Sequence, residues 1–188
     1  MSKVAAVVGP MSSGKGAVID VLKDKGYICL SLSDVVREHA KEWGLELTRK
    51  NLQDVGDSLR QKFGSAILAE LASSHILKDP GKKYIIDGVR NPAELVYLKS
   101  HFDVFTLGVT ASSEKRFSLM KIRNREWDPK TREEFDELEA RDRGVGQEDY
   151  GQQVQRCLDM ADLVIDNNGS LNELQESIGY FLPKVLGL

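Results

Sequence analysis

Residues 9–16 read Gly-Pro-Met-Ser-Ser-Gly-Lys-Gly and follow directly on the apolar run Val4-Ala5-Ala6-Val7-Val8. A Gly-x-x-x-x-Gly-Lys string between a strand and a helix is a phosphate cradle. Gly9 and Gly14 admit backbone conformations that a side chain forbids, so the loop through Pro10, Met11, Ser12 and Ser13 can aim consecutive N–H groups at one anion. The helix that begins near Gly14 adds its positive end at Gly16 and Ala17, and Lys15 supplies a mobile point charge for the outer phosphates. The chemistry expected of residues 9–17 is the binding of a nucleoside triphosphate.

One position departs from the motif. The residue after the lysine is ordinarily Ser or Thr, whose hydroxyl ligates Mg²⁺, whereas here Gly16 and Ala17 follow. The loop therefore offers the metal no side-chain oxygen there. Mg²⁺ commonly keeps several waters and leans on substrate phosphates instead.

Phosphoryl transfer asks for cations around a loosely held phosphoryl group and for in-line placement of an acceptor. Two further segments carry suitable residues. In Ser33-Asp34-Val35-Val36-Arg37, Ser33 is a candidate helix cap and Asp34 complements the helix dipole. Arg37 shares a face with Asp34 and could grip an acceptor phosphate with both guanidinium nitrogens. In Tyr84-Ile85-Ile86-Asp87-Gly88-Val89-Arg90, Asp87 closes an apolar strand, the position from which a carboxylate orients the water shell of Mg²⁺. Asp-Gly is also a turn pair. Arg90 is expected on the acceptor side.

The elements that must position these residues alternate along the chain. Strands are predicted near 3–9, 27–31, 83–87, 103–109 and 162–166. Helices are predicted near 14–25, 33–43, 48–62, 65–78, 92–100, 113–125, 132–143, 148–161 and 171–186, with Thr48, Ser113 and Ser170 as N-caps and Pro92 in a first turn. Near-continuous apolar strands separated by helices imply an α/β fold, a five-stranded parallel sheet with helices on both faces. Ligands then bind beyond the carboxyl ends of the strands, where the loop, Asp34, Asp87 and the Asp166-Asn167-Asn168 run all fall.

Residues 114–143 are dense in both charge signs, which fits either a solvated helix pair laced with ion pairs or a helical lid that swings arginines onto phosphates. The loop at residues 9–16 favours the lid. Helices between residues 33 and 78 should wall the acceptor pocket. There Gln53, Asp57 and Arg60 either meet a base or form a solvated face.

The chain of 188 residues has the size of one domain and carries a net charge of −3, so no basic field exists for a nucleic-acid backbone. Cys29 and Cys157 lack metal spacing and are expected as reduced thiols of a cytoplasmic protein. No apolar run approaches membrane-spanning length and no leader pattern opens the sequence. Neither a membrane nor a nucleic acid is an expected partner.

The chain resembles a nucleoside monophosphate kinase of the adenylate-kinase type over nearly its whole length. Gly9–Gly16 resembles that family's loop, Ser33-Asp34-Val35-Val36-Arg37 its Gly-Asp-x-Leu-Arg, and Asp87-Gly88-Val89-Arg90 its Asp-Gly-Phe-Pro-Arg, without the proline. The resemblance implies a P-loop NTPase fold, ATP as phosphoryl donor, Mg²⁺, and a small-molecule acceptor, most simply a nucleotide. It implies acceptor-phosphate binding by Arg37 and Arg90 and a metal role for Asp87 through water. Arg123, Arg125 and Arg141 fall where lid arginines stand, the first two for catalysis and Arg141 for the acceptor. Ala161-Asp162-Leu163-Val164-Ile165-Asp166-Asn167-Asn168-Gly169 is similar to dephospho-coenzyme A kinases, which implies Asn168 beside the adenine and Asp34 facing a ribose hydroxyl. The blend of features is similar to a group of adenylate-kinase-related prokaryotic proteins, and more distantly to phage-type deoxynucleotide kinases.

Overall fold

A computed structural model describes residues 2–126 and 128–186, with the side chains of residues 184–186 left aside. The five strands are β1 (Lys3–Val8), β2 (Ile28–Ser31), β3 (Tyr84–Asp87), β4 (Asp103–Thr110) and β5 (Leu163–Asp166). All pair in parallel, in the order β2-β3-β1-β4-β5. Parallel strands buried on both faces must be apolar throughout, and alternate residues of β1 divide accordingly. Val4, Ala6 and Val8 enter one core while Ala5 and Val7 enter the other.

The second core is covered by α1 (Lys15–Asp24) and α9 (Leu171–Leu186). The first lies under α2 (Leu32–Glu42), α3 (Arg49–Phe63), α4 (Ile67–Lys78) and α5 (Pro92–His101), with Cys157 of α8 (Val154–Asp159). The remaining helices, α6 (Ser113–Arg123) and α7 (Arg132–Arg143), form a hairpin between β4 and α8. Among the described residues no helix is long and apolar enough to cross a membrane.

Local signals set most boundaries. Thr48 Oγ1 accepts from the Asn51 N–H at 3.2 Å, and Asn91 opens α5 with a reciprocal cap to Glu94 ahead of Pro92. Three expectations are corrected. Strand β2 runs straight into α2, so Ser31 is the N-cap position and Ser33 lies inside the first turn rather than capping it. Ser112, not Ser113, caps α6, because its hydroxyl accepts from the Lys115 N–H while Ser113 turns to Glu139. The helix expected over 148–161 is confined to α8. Asn91 Nδ2 donates to the carbonyls of Asp149 and Gly151, both at 2.8 Å, and the Gln153 N–H donates to the Arg90 carbonyl at 2.7 Å. The Asp149 and Gly151 carbonyls and the Gln153 N–H are thus taken by tertiary partners, so no helix forms there.

Candidate nucleotide and acceptor site

Beyond the carboxyl ends of β1 and β3 lie two cavities, one of about 520 Å³ and one of about 50 Å³. The larger is within the range of small-molecule sites. Its wall includes the loop from Met11 through Ser12, Ser13, Gly14, Lys15 and Gly16 to Ala17, together with Asp87, Arg123 and Arg125. Gly9 and Pro10 stand behind it, both buried. Gly14 sits at φ 101°, and a Cβ there would lie 2.3 Å from the Asn167 side chain, so only glycine fits.

The loop is set in a conformation that invites a ligand. Ser12 holds φ 58°, uncommon for a residue with a side chain, and the hydroxyls of Ser12 and Ser13 are buried without a hydrogen-bond partner. Lys15 Nζ folds back to donate to the carbonyls of Gly9 and Pro10, both at 2.7 Å. Burial lowers its pKa to about 8, against the opposing pull of Asp87. One side of the loop is fixed by Asn167, whose Nδ2 donates to the Ser13 carbonyl at 2.9 Å. Asn168, the neighbour expected near the adenine, is exposed, and its side chain accepts from the Ser112 N–H at 2.8 Å outside both cavities.

Arg37 and Arg90 line both cavities, together with Met11, Ser33, Arg49 and Gly88. Arg37 Nη1 is paired with Asp34 at 2.5 Å, on an exposed rim. Asp34 itself lines neither cavity. Arg90 is paired with Asp142 of α7. Burial works against the charge of Arg90, but Asp142 and Asp87 outweigh it and raise the pKa.

The hairpin is no solvated pair. Met120 and Phe135 pack with Met11 of the loop, and buried Arg116 donates to the carbonyls of Ala111 at 2.9 Å and Met11 at 3.4 Å while pairing with Glu139. Its Arg123 reaches Asp128 through two nitrogens at 3.0 and 2.6 Å. Arg132 behaves as an exposed helix ion pair with Asp136 at 2.9 Å. Arg141 lies away from both cavities and pairs with Asp54 and Asp57 of α3.

Gln53, Asp57 and Arg60 are buried, which corrects the solvated face entertained for them. Arg60 is spent on Glu94 at 2.9 Å. The Gln53 amide lines the smaller cavity and donates to the Leu138 carbonyl at 3.4 Å and to Gln152 at 3.2 Å, leaving its oxygen unpaired.

A magnesium ion would need oxygen donors beside the loop. Asp87 Oδ1 is buried and has no partner, which suits a carboxylate facing the water shell of an ion. A Cβ at Gly16 would meet nothing within 4 Å, so the place of the missing hydroxyl is open space. Among the described residues no cluster of three His, Cys, Asp or Glu forms a metal site. Such an ion would thus be held by Asp87 and by phosphate oxygens.

Reasoning from sequence passed over Arg49, Asp128 and Asp142. For Arg49 a signal existed. It begins a helix, the end where a cation is disfavoured, with no acid in the first turn to offset it.

The AAA domain family matches residues 8–136. A UPF0200/UPF0201 protein of Archaeoglobus fulgidus is 34% identical over 188 residues, covering 97% of this chain and 56% of that protein, so the chain spans about half the length of that relative. A UPF0200 protein of Methanoculleus marisnigri is 32% identical over 186 residues and 98% of each chain. Shikimate kinase from Bacteroides thetaiotaomicron is similar in fold, with a TM-score of 0.59 at 12% identity over 100% of this chain and 99% of that one. The chain belongs to the UPF0200 family and to the AAA domain family, on the fold of the P-loop kinases.

Proposed function

We propose that this chain is an ATP-dependent phosphotransferase whose acceptor is a nucleoside or deoxynucleoside monophosphate. One observation carries the reading: Arg37 and Arg90 line both the cavity around the Lys15 loop and the smaller cavity beside it. A polyphosphate on the loop and an anionic acceptor would then meet across two guanidiniums, which recognise phosphate bidentately.

The roles divide by place. Residues 11–17 wrap the donor phosphates, and Lys15 leaves the carbonyls of Gly9 and Pro10 to follow the charge. Arg123 and Arg125 approach from the hairpin and offset charge on the transferring group. Mg²⁺, held through Asp87, would neutralise donor phosphate charge. A phosphate acceptor is already anionic, so no general base is required; cations and alignment suffice.

Phosphorylation of a ribose hydroxyl would need a carboxylate at the acceptor oxygen. Asp34 is the candidate, and its exposed position outside both cavities, paired with Arg37, speaks against that reading. A non-catalytic ATP-binding regulator is the remaining alternative, and a second phosphate site would be idle in it.

The test is ADP formation from Mg·ATP with a panel of ribo- and deoxynucleoside monophosphates and dephospho-coenzyme A, with Lys15→Ala as the blank. Release of ADP that requires a monophosphate supports the proposal. Release with dephospho-coenzyme A alone supports the hydroxyl reading, and saturable ATP binding without acceptor-dependent ADP supports the regulator.

A further inference from the structure

We propose that Arg49 is the anchor for the anionic group of the acceptor, a third guanidinium on the acceptor side that Asp128 holds until the anion binds. The inference rests on the reading that the acceptor is anionic, and it assigns the residue on which that anion chiefly sits.

Arg49 is the first residue of α3, directly after the capping Thr48. The positive end of the helix dipole makes this a poor place for a cation, so helix stability does not explain it. Its side chain lines both cavities. Its Nε is buried and has no hydrogen-bond partner. Its carboxylate contact is with Asp128, Nη2 to Oδ1 at 3.6 Å, beyond good hydrogen-bond distance.

Asp128 is already engaged more closely elsewhere. Its carboxylate accepts from Arg123 at 3.0 and 2.6 Å and from the Arg125 N–H at 3.2 Å. Arg37 has Asp34 and Arg90 has Asp142, whereas Arg49 receives the outer edge of a shared carboxylate. Burial lowers its pKa to about 10, and the nearby charges of Arg90 and Arg123 add to the effect. A guanidinium withdrawn from water with an unpaired nitrogen is costly, and an incoming oxyanion relieves that cost with charge-assisted bonds.

This geometry separates binding from stability. Removing Arg49 takes away a half-buried charge that Asp128 meets only loosely, and Asp128 keeps its two bonds to Arg123. Unliganded Arg49→Ala is therefore expected to unfold at a temperature no lower than the wild type. Its affinity for the monophosphates that bind wild type should fall by about tenfold or more, as for one lost charge-assisted contact. Affinities for the parent nucleosides and for Mg·ATP should change by less than about threefold on the same scale, with Arg49→Lys falling between. Calorimetric titration of wild type and both variants, with thermal unfolding of each, reads all of these. A melting temperature several degrees lower in Arg49→Ala, or equal weakening of nucleosides and monophosphates, overturns the assignment.

If no monophosphate binds the wild type, the nucleotide reading falls and inorganic phosphate decides Arg49 separately. Phosphate is titrated with the donor cavity filled by the magnesium complex of a non-hydrolysable ATP analogue, and again without it. Phosphate binding that Arg49→Ala abolishes sustains the proposal. Absence of phosphate binding in the wild type overturns it.

Discussion

Arg141 of α7 donates to Asp57 of α3 at 2.7 Å and also meets Asp54 at 2.6 Å. With the Leu138 carbonyl taken by Gln53, and Asp142 by Arg90, the second helix of the hairpin is fastened to α3 and to the turn after β3. If the hairpin closes over a bound donor as proposed, a helix attached in this way must carry α3 along. Arg141→Ala should therefore weaken more than one property. It leaves buried Asp57 with Arg60 alone, costing about 1–3 kcal/mol in urea unfolding. The acceptor KM should rise severalfold while Mg·ATP affinity stays close to wild type. A variant that loses acceptor binding with unchanged stability would show that Arg141 touches the acceptor directly.

Lys15 gives a pH signature. Its pKa is lowered to about 8 by burial, so the unliganded loop holds a neutral amine above that value. Between about pH 8 and the ordinary lysine value the unfolded chain binds more protons than the folded one, and this group's contribution to stability rises with pH. Polyphosphate needs the ammonium, so affinity for Mg·ATP should fall above pH 8, by up to about tenfold per unit. Proton uptake on binding, read by calorimetry in buffers of different ionisation enthalpy, checks the sign. Proton release at pH 8–9 would contradict it.

Gly16 offers a gain-of-function test. The space around it is open, so Gly16→Ser should fold as well as wild type and add a hydroxyl near the loop phosphates. If Mg²⁺ is held by Asp87 and phosphate oxygens, the variant should reach half-maximal activity at a lower Mg²⁺ concentration. An unchanged Mg²⁺ dependence would place the ion away from residue 16.

Much of the fold was legible because its signals are local. The run Val4–Val8, the glycine spacing of the loop and the apolar residues before Asp87 identify β1, β3 and the loop that walls the larger cavity without long-range information. That the strands run parallel follows from the alternation of strands and helices. What escaped depends on partners distant in sequence. Nothing near Asp149 or Gly151 reveals that the Asn91 amide takes their carbonyls and prevents a helix. The charge-rich face of α3 reads as solvated until Glu94 meets Arg60 and Arg141 meets Asp57. Asp128 looks like an ordinary loop acid, and only tertiary packing brings Arg123 and Arg49 to it. Arg49 alone carried a local sign, a cation at the wrong end of a helix.

The most direct measurement of the central claim is the initial rate of ³²P transfer from Mg·[γ-³²P]ATP to each nucleoside monophosphate, in wild type and in Arg90→Ala. The account predicts a labelled diphosphate with at least one acceptor, no label in Lys15→Ala, and an acceptor KM raised about tenfold or more in Arg90→Ala with the KM for ATP nearly unchanged. Transfer to none of the acceptors despite saturable ATP binding, or an Arg90→Ala variant impaired only in its use of ATP, would contradict it.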